Sequence, residues 1–506
     1  MTLGKAGPSA ATLSLGLAIA LGGGAGLAAG CGGCGGGGDT DAAAGDAGPR
    51  CGNGRVEGAE ECDDAILCDT DPLNGVTDGC GNDCRLETLA SVSVNTSTQG
   101  SQIFPIAIAM PNGFGVAYQD TVEGTIEDDS EIRMRLYDLD GGPWTAGGPF
   151  APGYDFRVTS FPGNGPQTTP GASVCADGSF AVAWGDFRPP NGTTGAVRAR
   201  FFAPDGTPGD DVVISDVIAA GHVFGSGLAG GCLNGAHFFV WVENVMAMPP
   251  APGGSVLRGR VLDTAGVPLA TDAAGGADVP FDVEPNLLAG PTQPSVAVDA
   301  ITNIVWVAYR SLAPTQVTGA DVFLRRLTGS FGTLGGVDVV DGTGEVAIDG
   351  PQVAVAGGAA GAMIVWTVPG STNTVHARLY DALANPRPPL GSVSAADFAI
   401  DTMFSTEESL PSPHVAALAD ETFLITWVDL TSGVVGLHVD ADGAGVGPSP
   451  LMAINDMAAC VLVRGPVAYG FPDAGYVAAW ETTSPTADDN ECGQVGCGVR
   501  ARAMRP

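Results

Sequence analysis

Basic residues are scarce in this chain. Of its 506 residues, 21 are Lys or Arg and 56 are Asp or Glu, and the only lysine is Lys5. From Cys31 onward, 20 arginines therefore stand against all 56 acidic residues, which gives this part of the chain a net charge of −36. Such a surface repels nucleic acid and anionic lipid headgroups and attracts cations and basic partners. The composition excludes nucleic acid as an expected partner.

Long apolar runs are also absent beyond residue 30, where no stretch reaches the roughly 20 consecutive apolar residues of a membrane-spanning helix. Before that point, MTLGK and an apolar, small-residue stretch up to Gly30 are typical of an export signal. The run LAAGC, which ends at Cys31, resembles the lipobox of bacterial lipoproteins. The resemblance implies lipidation of Cys31, whereas Ala28, three positions earlier, leaves cleavage by an ordinary signal peptidase as the alternative. Residues 1–30 are predicted to be a signal peptide, and the mature protein to be lipid-anchored in the bacterial cell envelope or secreted.

The segment after the signal has few residues that could form a core. Residues 31–50 are mainly Gly, Ala and Asp and are predicted to be a flexible tether. From Cys51 to Cys84 the runs CGNG, EECDD and DGC, with a final Cys, resemble the cysteine-rich repeat of secreted myxobacterial proteins. Cys68 does not fit that pattern, and the cysteines that do are Cys51, Cys62, Cys80 and Cys84. Because so short a segment needs cross-links, residues 51–86 are predicted to be a disulfide-held module, with a metal site as the alternative.

The rest of the chain is a repeat with a period of about sixty residues. An apolar run ending in an aromatic residue occurs seven times, at Tyr118, Trp184, Trp241, Tyr309, Trp366, Trp427 and Trp480. Each is followed by a run in which apolar and polar residues alternate, such as IRMRLYD (132–138), and several are preceded by a short run with Pro and Val, such as PSVAVDA (294–300). Alternation with a period of two predicts strands.

Four short antiparallel strands, repeated seven times, predict an all-β fold over residues 88–506, a seven-bladed β-propeller of four-stranded blades. Tandem β-sandwiches are the alternative, but about sixty residues supply too few strands for a sandwich. The seventh unit stops after its third strand, at Arg502–Pro506. LASVSVN (89–95) has the pattern of the missing strand and is predicted to close the ring by joining the last blade, which removes two open sheet edges.

Two further pairs of cysteines occur in the repeats. Cys175 and Cys232 each lie nine residues before the aromatic residue of their unit. They are predicted to be either a disulfide or two buried thiols, because equivalent positions on adjacent blades can exceed the roughly 7 Å between Cα atoms that a bridge allows. Cys492 and Cys497, in ECGQVGC, are close enough in sequence to form a small disulfide loop.

Arginines are concentrated in the alternating runs, and several aromatic-ending runs carry an acid two residues after the aromatic. These acids are Asp120, Asp186, Glu243 and Asp429. Ion pairs between neighbouring strands are therefore predicted, with the arginine stems packed along the sheet. An arginine cluster that binds a ligand is the alternative.

No catalytic motif is present in the sequence, since HExxH, the GxSxG elbow and a glycine-rich phosphate loop are all missing. The histidines are scattered over different units without metal-ligand spacing and are predicted to be ordinary strand or loop residues: His222, His237, His376, His414 and His438. Sialidase-like propellers carry an SxDxGxxW box. In ADGSFAVAW (176–184) the Asp, Gly and Trp have other spacings, so this run is not assigned to that box.

Acidic residues are concentrated in two loops that ring closure would make neighbours. The predicted cation or partner patch consists of Asp120, Glu123, Glu127, Asp128, Asp129, Glu131, Asp488, Asp489 and Glu491. Ca²⁺ is the expected cation, because it prefers several carboxylate and carbonyl oxygens. A solvated acidic rim is the alternative, since no complete DxDxDG loop is present.

These features together predict a monomeric, exported, non-catalytic binding or scaffold protein whose propeller loops contact a protein, glycan or cation at the cell surface. One alternative is a hydrolase or lyase that acts in the central channel, and another is a structural component of the cell envelope. Convergent polar or titratable side chains at the channel, around a pocket of roughly 300 Å³ or more, would favour the enzyme.

Overall fold

The structure is a computed structural model, and its only regular elements among the residues that it describes are β-strands. It describes residues 92–96, 101–121, 130–139, 141–145, 147–150, 152–160, 165–187, 195–215, 222–245, 254–271, 280–284, 290–312, 320–334, 338–340, 351–356, 361–368, 373–381, 383, 385–389, 398–401, 413–418, 421–429, 433–446, 451–454, 462–470, 475–483 and 498–504. Within these ranges, no helix is long and apolar enough to span a membrane. The predicted signal peptide, tether and cysteine-rich module lie outside the described residues.

Seven antiparallel sheets of four or five strands form the fold. The first described strand is β1 (Val92–Ser93). Blades 1 to 3 are β2 (Ser101–Met110), β3 (Gly113–Thr121), β4 (Ser130–Asp138) and β5 (Phe156–Arg157); β6 (Gln167–Val174), β7 (Phe180–Asp186), β8 (Ala196–Phe202) and β9 (Pro208–Val213); β10 (His222–Leu233), β11 (Ala236–Val245), β12 (Gly254–Leu262) and β13 (Phe281–Glu284). Blades 4 and 5 are β14 (Thr292–Asp299), β15 (Ile304–Leu312), β16 (Ala320–Thr328) and β17 (Asp338–Val339); β18 (Gln352–Ala356), β19 (Gly361–Val368), β20 (Thr374–Tyr380), β21 (Pro386–Arg387) and β22 (Phe398–Asp401). Blades 6 and 7 are β23 (His414–Ala417), β24 (Phe423–Asp429), β25 (Gly433–Val439) and β26 (Leu451–Ala453); β27 (Leu462–Gly470), β28 (Tyr476–Thr483) and β29 (Gly498–Met504).

The predicted seven-bladed propeller is confirmed. Strands within a blade pair in chain order, from the innermost strand outward, and in blade 5 both β21 and β22 pair with β20. The second strand of each blade is buried on both faces, as every residue of β19 shows. The third strand is buried on alternate residues, as in β4, which is the period-two pattern of the sequence. All seven repeat aromatics are fully buried.

Ring closure occurs as predicted, through β1. This strand pairs with β29, placing Val92 opposite Ala501 and Ser93 opposite Arg500, so blade 7 receives its fourth strand from the N-terminal side of the propeller. The Val94 amide continues the ladder by donating to the Val499 carbonyl at 2.9 Å. Pairing of chain segments so distant in sequence holds the first and last blades together.

Seven hydrophobic clusters form the core, one at each boundary between adjacent blades. The cluster at the closing boundary includes Val94 and Val477 from the side of blade 7 and Ala107 from blade 1. Blades are therefore held mainly by apolar packing between neighbouring sheets, and the last boundary is built like the other six.

Ion pairs within the blades confirm the predicted pairing of acids with arginines on the next strand. Asp186 Oδ2 lies 2.6 Å from Arg198 Nε, and Glu243 Oε2 lies 3.7 Å from Arg258 Nε. Each acid lies near its partner because the two strands are adjacent. These arginines stabilise blades rather than forming a ligand-binding cluster.

A second set of third-strand arginines joins five of the blades, blades 1, 2, 3, 5 and 7, to the blade before, a role that the sequence did not suggest. We call these the seam arginines. Each donates from Nη1 to a backbone carbonyl oxygen. The pairs are Arg135 with Val94, Arg200 with Val158, Arg260 with Ile214, Arg378 with Val340 and Arg502 with Ile454. Every one of these carbonyls follows the outer strand of the preceding blade, or β1 in the case of Val94. The seam arginines satisfy carbonyl groups of fully buried residues that the short outer strands leave unpaired.

Cys175 and Cys232 form a disulfide between blades 2 and 3, with 5.0 Å between their Cα atoms. This settles the alternative between a bridge and two thiols. His237 lies beside the disulfide and is fully buried. Burial lowers the pKa of His237 to about 4, although the charges of Asp177 and Asp263 oppose the shift. The cysteines predicted to form other bridges, Cys51, Cys62, Cys80, Cys84, Cys492 and Cys497, lie outside the described residues.

Candidate functional site: the central channel

The central channel of the ring contains a cavity of about 350 Å³. The innermost strand of every blade lines it, namely β2, β6, β10, β14, β18, β23 and β27. Each strand contributes the residue that follows a proline, or Leu228 in blade 3. We call these seven residues the axial ring: Ile106, Gly171, Ala229, Ser295, Gln352, His414 and Val467.

The lining of the cavity is chemically asymmetric. The polar members of the axial ring, Ser295, Gln352 and His414, come from blades 4, 5 and 6, and Tyr469 of blade 7 adds a phenol. Blades 1 to 3 contribute aliphatic and small residues, such as Ile106. No carboxylate is found among the described residues that line the cavity. One wall is therefore polar and the opposite wall apolar, the combination common in small-molecule sites.

His414 and Tyr469 are the titratable pair of the polar wall. Their ring centroids lie 5.4 Å apart, and His414 Nδ1 accepts a hydrogen bond from the Ala468 amide at 3.2 Å. Burial lowers the pKa of His414 to about 4 and raises the pKa of Tyr469 to about 12. Both rings are therefore uncharged near neutral pH. Because Nδ1 is an acceptor, the proton of the imidazole is on Nε2, which makes His414 a hydrogen-bond donor.

Ser295 and Gln352 are oriented by a related contact at the boundary between blades 4 and 5. The Val353 amide donates to Ser295 Oγ at 3.1 Å, as the Ala468 amide does to His414. Ser295 Oγ in turn lies 3.2 Å from Gln352 Oε1, to which it donates. This leaves the Gln352 amide nitrogen as a donor. The polar wall is thus fixed by backbone amides of the following blade, and its remaining groups are donors.

A β-bulge precedes the axial ring. In five inner strands the register shifts just before the axial-ring residue. The residue before the proline is left-handed at Phe104 (φ 54°), Thr169 (φ 53°) and Gln293 (φ 49°). Phe104 is also 53% exposed. A bulky residue in this region is strained, and such strain is concentrated at functional sites.

Second strands hold these bulges in place. Glu481 Oε1 accepts the Phe104 amide at 2.6 Å, and Gln119 Oε1 accepts the Thr169 amide at 3.3 Å. In each case the acceptor follows the repeat aromatic of the preceding blade. Glu481, one of the acids in the last loop region of the sequence, is buried and positions the backbone of β2.

The predicted cation or partner patch is described at two of its nine positions. Asp120 Oδ1 accepts from Gln102 Nε2 at 2.8 Å, and Asp120 Oδ2 lies 3.7 Å from Arg133 Nε. Glu131 Oε1 lies 2.7 Å from Arg157 Nη2. The remaining acids lie outside the described residues: Glu123, Glu127, Asp128, Asp129, Asp488, Asp489 and Glu491. The patch, its Ca²⁺ and the lipidation of Cys31 stay predictions.

The sequence placed His414 on a strand correctly but missed its position in the channel. The signal was present in the runs PSVAV, PQVAV and PHVAA, which put a polar residue directly after the proline in three successive units. Only the ring geometry shows that this register position lies on the channel in all seven blades.

With the fold and channel described, the chain can be compared with known proteins. No protein-family model matches it, and no curated protein matches it. Among solved structures, a protein of unknown function from Dyadobacter fermentans is similar with a TM-score of 0.44 and 12% identity, over 83% of this chain and 98% of that one. An α-L-arabinanase from Penicillium chrysogenum, complexed with arabinobiose, is similar with a TM-score of 0.42 and 10% identity, over 70% and 99%. A Trypanosoma rangeli sialidase is similar with a TM-score of 0.40 and 10% identity, over 82% and 56%.

These comparisons contradict the prediction of a non-catalytic binding or scaffold protein, and that prediction is wrong. Of the similar structures named above, the two of known activity are glycoside hydrolases, an arabinanase and a sialidase. At about 10% identity the likeness shows the fold alone. The activity is therefore argued from the residues of this chain.

Proposed function

We propose that this protein is an enzyme, a hydrolase or lyase, whose substrate binds in the central channel. The observation that carries the proposal is the cavity of about 350 Å³ with His414, Tyr469, Gln352 and Ser295 on one wall. This arrangement meets the criterion set from the sequence, convergent polar groups around a pocket of roughly 300 Å³ or more.

The donors on the polar wall indicate the chemistry of the substrate. His414 Nε2, the Tyr469 hydroxyl and the Gln352 amide nitrogen are all groups that can donate a hydrogen bond, so the complementary ligand is rich in acceptor oxygens. Hydroxyl, glycosidic and carboxylate oxygens of a short oligosaccharide have this character. The apolar wall around Ile106 supplies a surface for the carbon face of a sugar ring.

His414 and Tyr469 are the residues that we assign to the reaction. Hydrolysis and β-elimination of a glycosidic bond both build negative charge on the leaving oxygen. Two donors held in a partly dehydrated channel stabilise that charge, and the phenol can pass a proton to the leaving oxygen. The phenolate then regains a proton, either from the water that attacks the sugar carbon in hydrolysis or from the sugar carbon that is deprotonated in elimination. The backbone bond to His414 Nδ1 fixes the tautomer that donates from Nε2.

The test is a kinetic screen of the full-length protein with arabinobiose, a sialoside and a uronate-containing oligosaccharide. Release of reducing ends reports cleavage, and an unsaturated product identifies elimination. We expect Tyr469→Phe and His414→Gln to lower kcat/KM by about 100-fold on the substrate that is cleaved. Tyr154→Phe, at an exposed tyrosine, and His438→Gln, on a third strand, are the matched controls. The proposal is overturned if both channel variants keep wild-type turnover or if no substrate of the panel is cleaved.

A further inference from the structure

Gln352 and His414 lie at the same height along the channel, on neighbouring blades. Each is the axial-ring residue of its inner strand and pairs with the residue directly before the repeat aromatic of its blade, Val365 for Gln352 and Thr426 for His414. Both residues line the cavity. Tyr469 follows the axial-ring residue of blade 7 by two positions, which is about 7 Å further along the strand. The two side chains therefore form one layer of the polar wall, and the phenol belongs to the next layer.

The acceptor atoms of this layer are engaged within the protein, and its donor atoms are left for the cavity. His414 Nδ1 accepts from the Ala468 amide at 3.2 Å, and Gln352 Oε1 accepts from the Ser295 hydroxyl at 3.2 Å. Within the described part of the chain, neither Gln352 Nε2 nor His414 Nε2 donates a hydrogen bond to another residue. A sugar hydroxyl carries a hydrogen that needs an acceptor, whereas an ionised carboxylate or a sulfate only accepts. The layer therefore suits an oxyanion better than a hydroxyl.

An anion in this layer meets no like charge in the lining of the cavity. None of the described residues around the cavity is acidic. The chain from Cys31 onward has a net charge of −36, but salt screens the interaction with exposed acids over about 8 Å at physiological ionic strength. Hydrogen bonds to an ionised acceptor are about twice as strong as those between neutral groups. The donors next to the ligand therefore decide which group binds.

We propose that Gln352 is a specificity-determining residue of the channel and that, together with His414, it binds the oxyanion substituent of an acidic sugar, a carboxylate or a sulfate ester. The inference rests on the proposed function, since it takes the channel as the substrate site. Gln352 contributes two N–H groups and His414 one. Ser295 holds the amide in the orientation that leaves its nitrogen to the cavity. Tyr469, one layer further along the channel, then lies beside the glycosidic bond next to the charged group.

The test measures binding rather than cleavage, in the full-length protein carrying Tyr469→Phe, which the proposed function expects to turn over slowly. The probes differ only at carbon 6: glucose and galactose, their uronates and their 6-sulfates. Titration calorimetry gives the Kd of each probe. Gln352→Glu and Gln352→Met are made in the same background. Asn112→Asp, at an exposed turn, is the matched control that adds the same charge elsewhere.

We expect a uronate or a 6-sulfate to bind at least about 10-fold more tightly than the neutral sugar of the same configuration. The tighter of the two identifies the substituent. Gln352→Glu should abolish the preference, because it places a carboxylate against the anion. Gln352→Met, which only removes the donor, should reduce the preference, and Asn112→Asp should leave it unchanged. The proposal is overturned by equal Kd values for neutral and charged probes, by binding of none of the six, or by a preference that survives both Gln352 variants.

Failure of this inference can be told apart from failure of the proposed function. Cleavage of a panel substrate together with equal Kd values overturns the oxyanion site and leaves the proposed function standing. A preference for the anion that Gln352→Glu removes, without cleavage of any panel substrate, supports the oxyanion site and overturns the proposed function.

Discussion

Phe104 has a strained backbone that lowers the stability of the fold. Its backbone is left-handed, its ring is 53% exposed, and its amide is held by Glu481 at 2.6 Å. A left-handed conformation costs a non-glycine residue about 1–2 kcal/mol. The ring gains little burial in return, so stability does not explain why a phenylalanine occupies this position.

Replacing Phe104 should reveal the strain. We expect Phe104→Gly to be more stable than Phe104→Ala by about 1 kcal/mol, because only glycine adopts this φ without a Cβ clash. The midpoint of urea unfolding measures the difference. Gln293 has a similar φ of 49°, so Gln293→Gly should likewise be more stable than Gln293→Ala. An alanine variant as stable as the glycine variant would contradict the assignment of strain.

Two histidines, the buried His237 and the half-buried His414 of the channel, should make stability depend on pH. Burial lowers the pKa of both His237 and His414 to about 4, well below the value of an exposed imidazole. Between about pH 6.5 and 4 the unfolded chain therefore binds protons that the folded chain does not, and stability is lost as the pH falls. Each histidine should contribute about 1.4 kcal/mol per pH unit in this window. Above it their contribution is fully present.

Chemical unfolding between pH 7.5 and 4.5 measures this slope. His414→Gln and His237→Gln should each reduce it by one histidine's share, and the double variant should reduce it further. A slope that both variants leave unchanged would show that neither imidazole is buried in its neutral form.

At the scale of elements, apolar packing and the seam arginines hold neighbouring blades together. Arg200 is one of the seam arginines: Nη1 donates to Val158 O at 2.9 Å, Nε donates to Gly209 O at 2.8 Å, and its side chain is only 14% exposed. Hydrogen bonds from a charged donor to buried carbonyls are among the stronger ones. The seams therefore combine a non-directional apolar contact with a directional polar one.

Substitution of a seam arginine should destabilise the ring. We expect Arg200→Met to lower the free energy of unfolding by about 1.5–3 kcal/mol. Two carbonyl oxygens lose a charged donor, and the buried carboxylate of Asp211 loses the Arg200 Nε that lies 3.8 Å away, while the apolar stem is kept. Arg387→Met is the matched control, since Arg387 pairs with Asp442 at the surface and should contribute below about 1 kcal/mol. Urea denaturation measures the free energy of unfolding of both variants. An equal loss in the two would contradict the larger contribution expected of the seam arginine.

At the scale of the whole molecule, one short strand closes the ring. Thr96, directly after the β1 segment, donates to Asp155 of blade 1, which also accepts from Tyr118 and Arg133. Burial alone would raise the pKa of Asp155, but the hydrogen bonds from Thr96 and Tyr118 and the charge of Arg133 outweigh it and lower the pKa. The carboxylate thus links the closing strand to the first blade.

Acid should therefore weaken the closure. A carboxyl group whose pKa is lowered by folding stabilises the protein above its unfolded pKa and loses this contribution as the pH falls below about 4. We expect Asp155→Asn to be less stable at pH 7 and to lose less stability than wild type between pH 4 and 2.5. Hydrogen exchange of the Val94 amide, which donates to Val499, reports on the closure itself. Wild-type exchange in Asp155→Asn would contradict the link.

The strands that could be predicted from the sequence are those that bury many side chains. Second and third strands such as β19 and β20 are long and have clear apolar patterns, so the sequence predicted them well. Outer strands are as short as the two residues of β5, β17 and β21, and β21 shares β20 with β22, which no periodicity indicates. Elements that bury few side chains leave little trace in the sequence.

The sequence by itself determined the number of repeats, the alternation of strands and the closing role of the segment around Val92, because all three follow from local patterns of burial. Tertiary structure alone decided which residues meet: His414 beside Tyr469, Cys175 bonded to Cys232 beside His237, and each seam arginine on the carbonyl of another blade. Those contacts join positions about one blade apart in the chain, and their geometry depends on how the sheets pack around the axis. Such packing is a property of the closed ring, and no local run of residues encodes it.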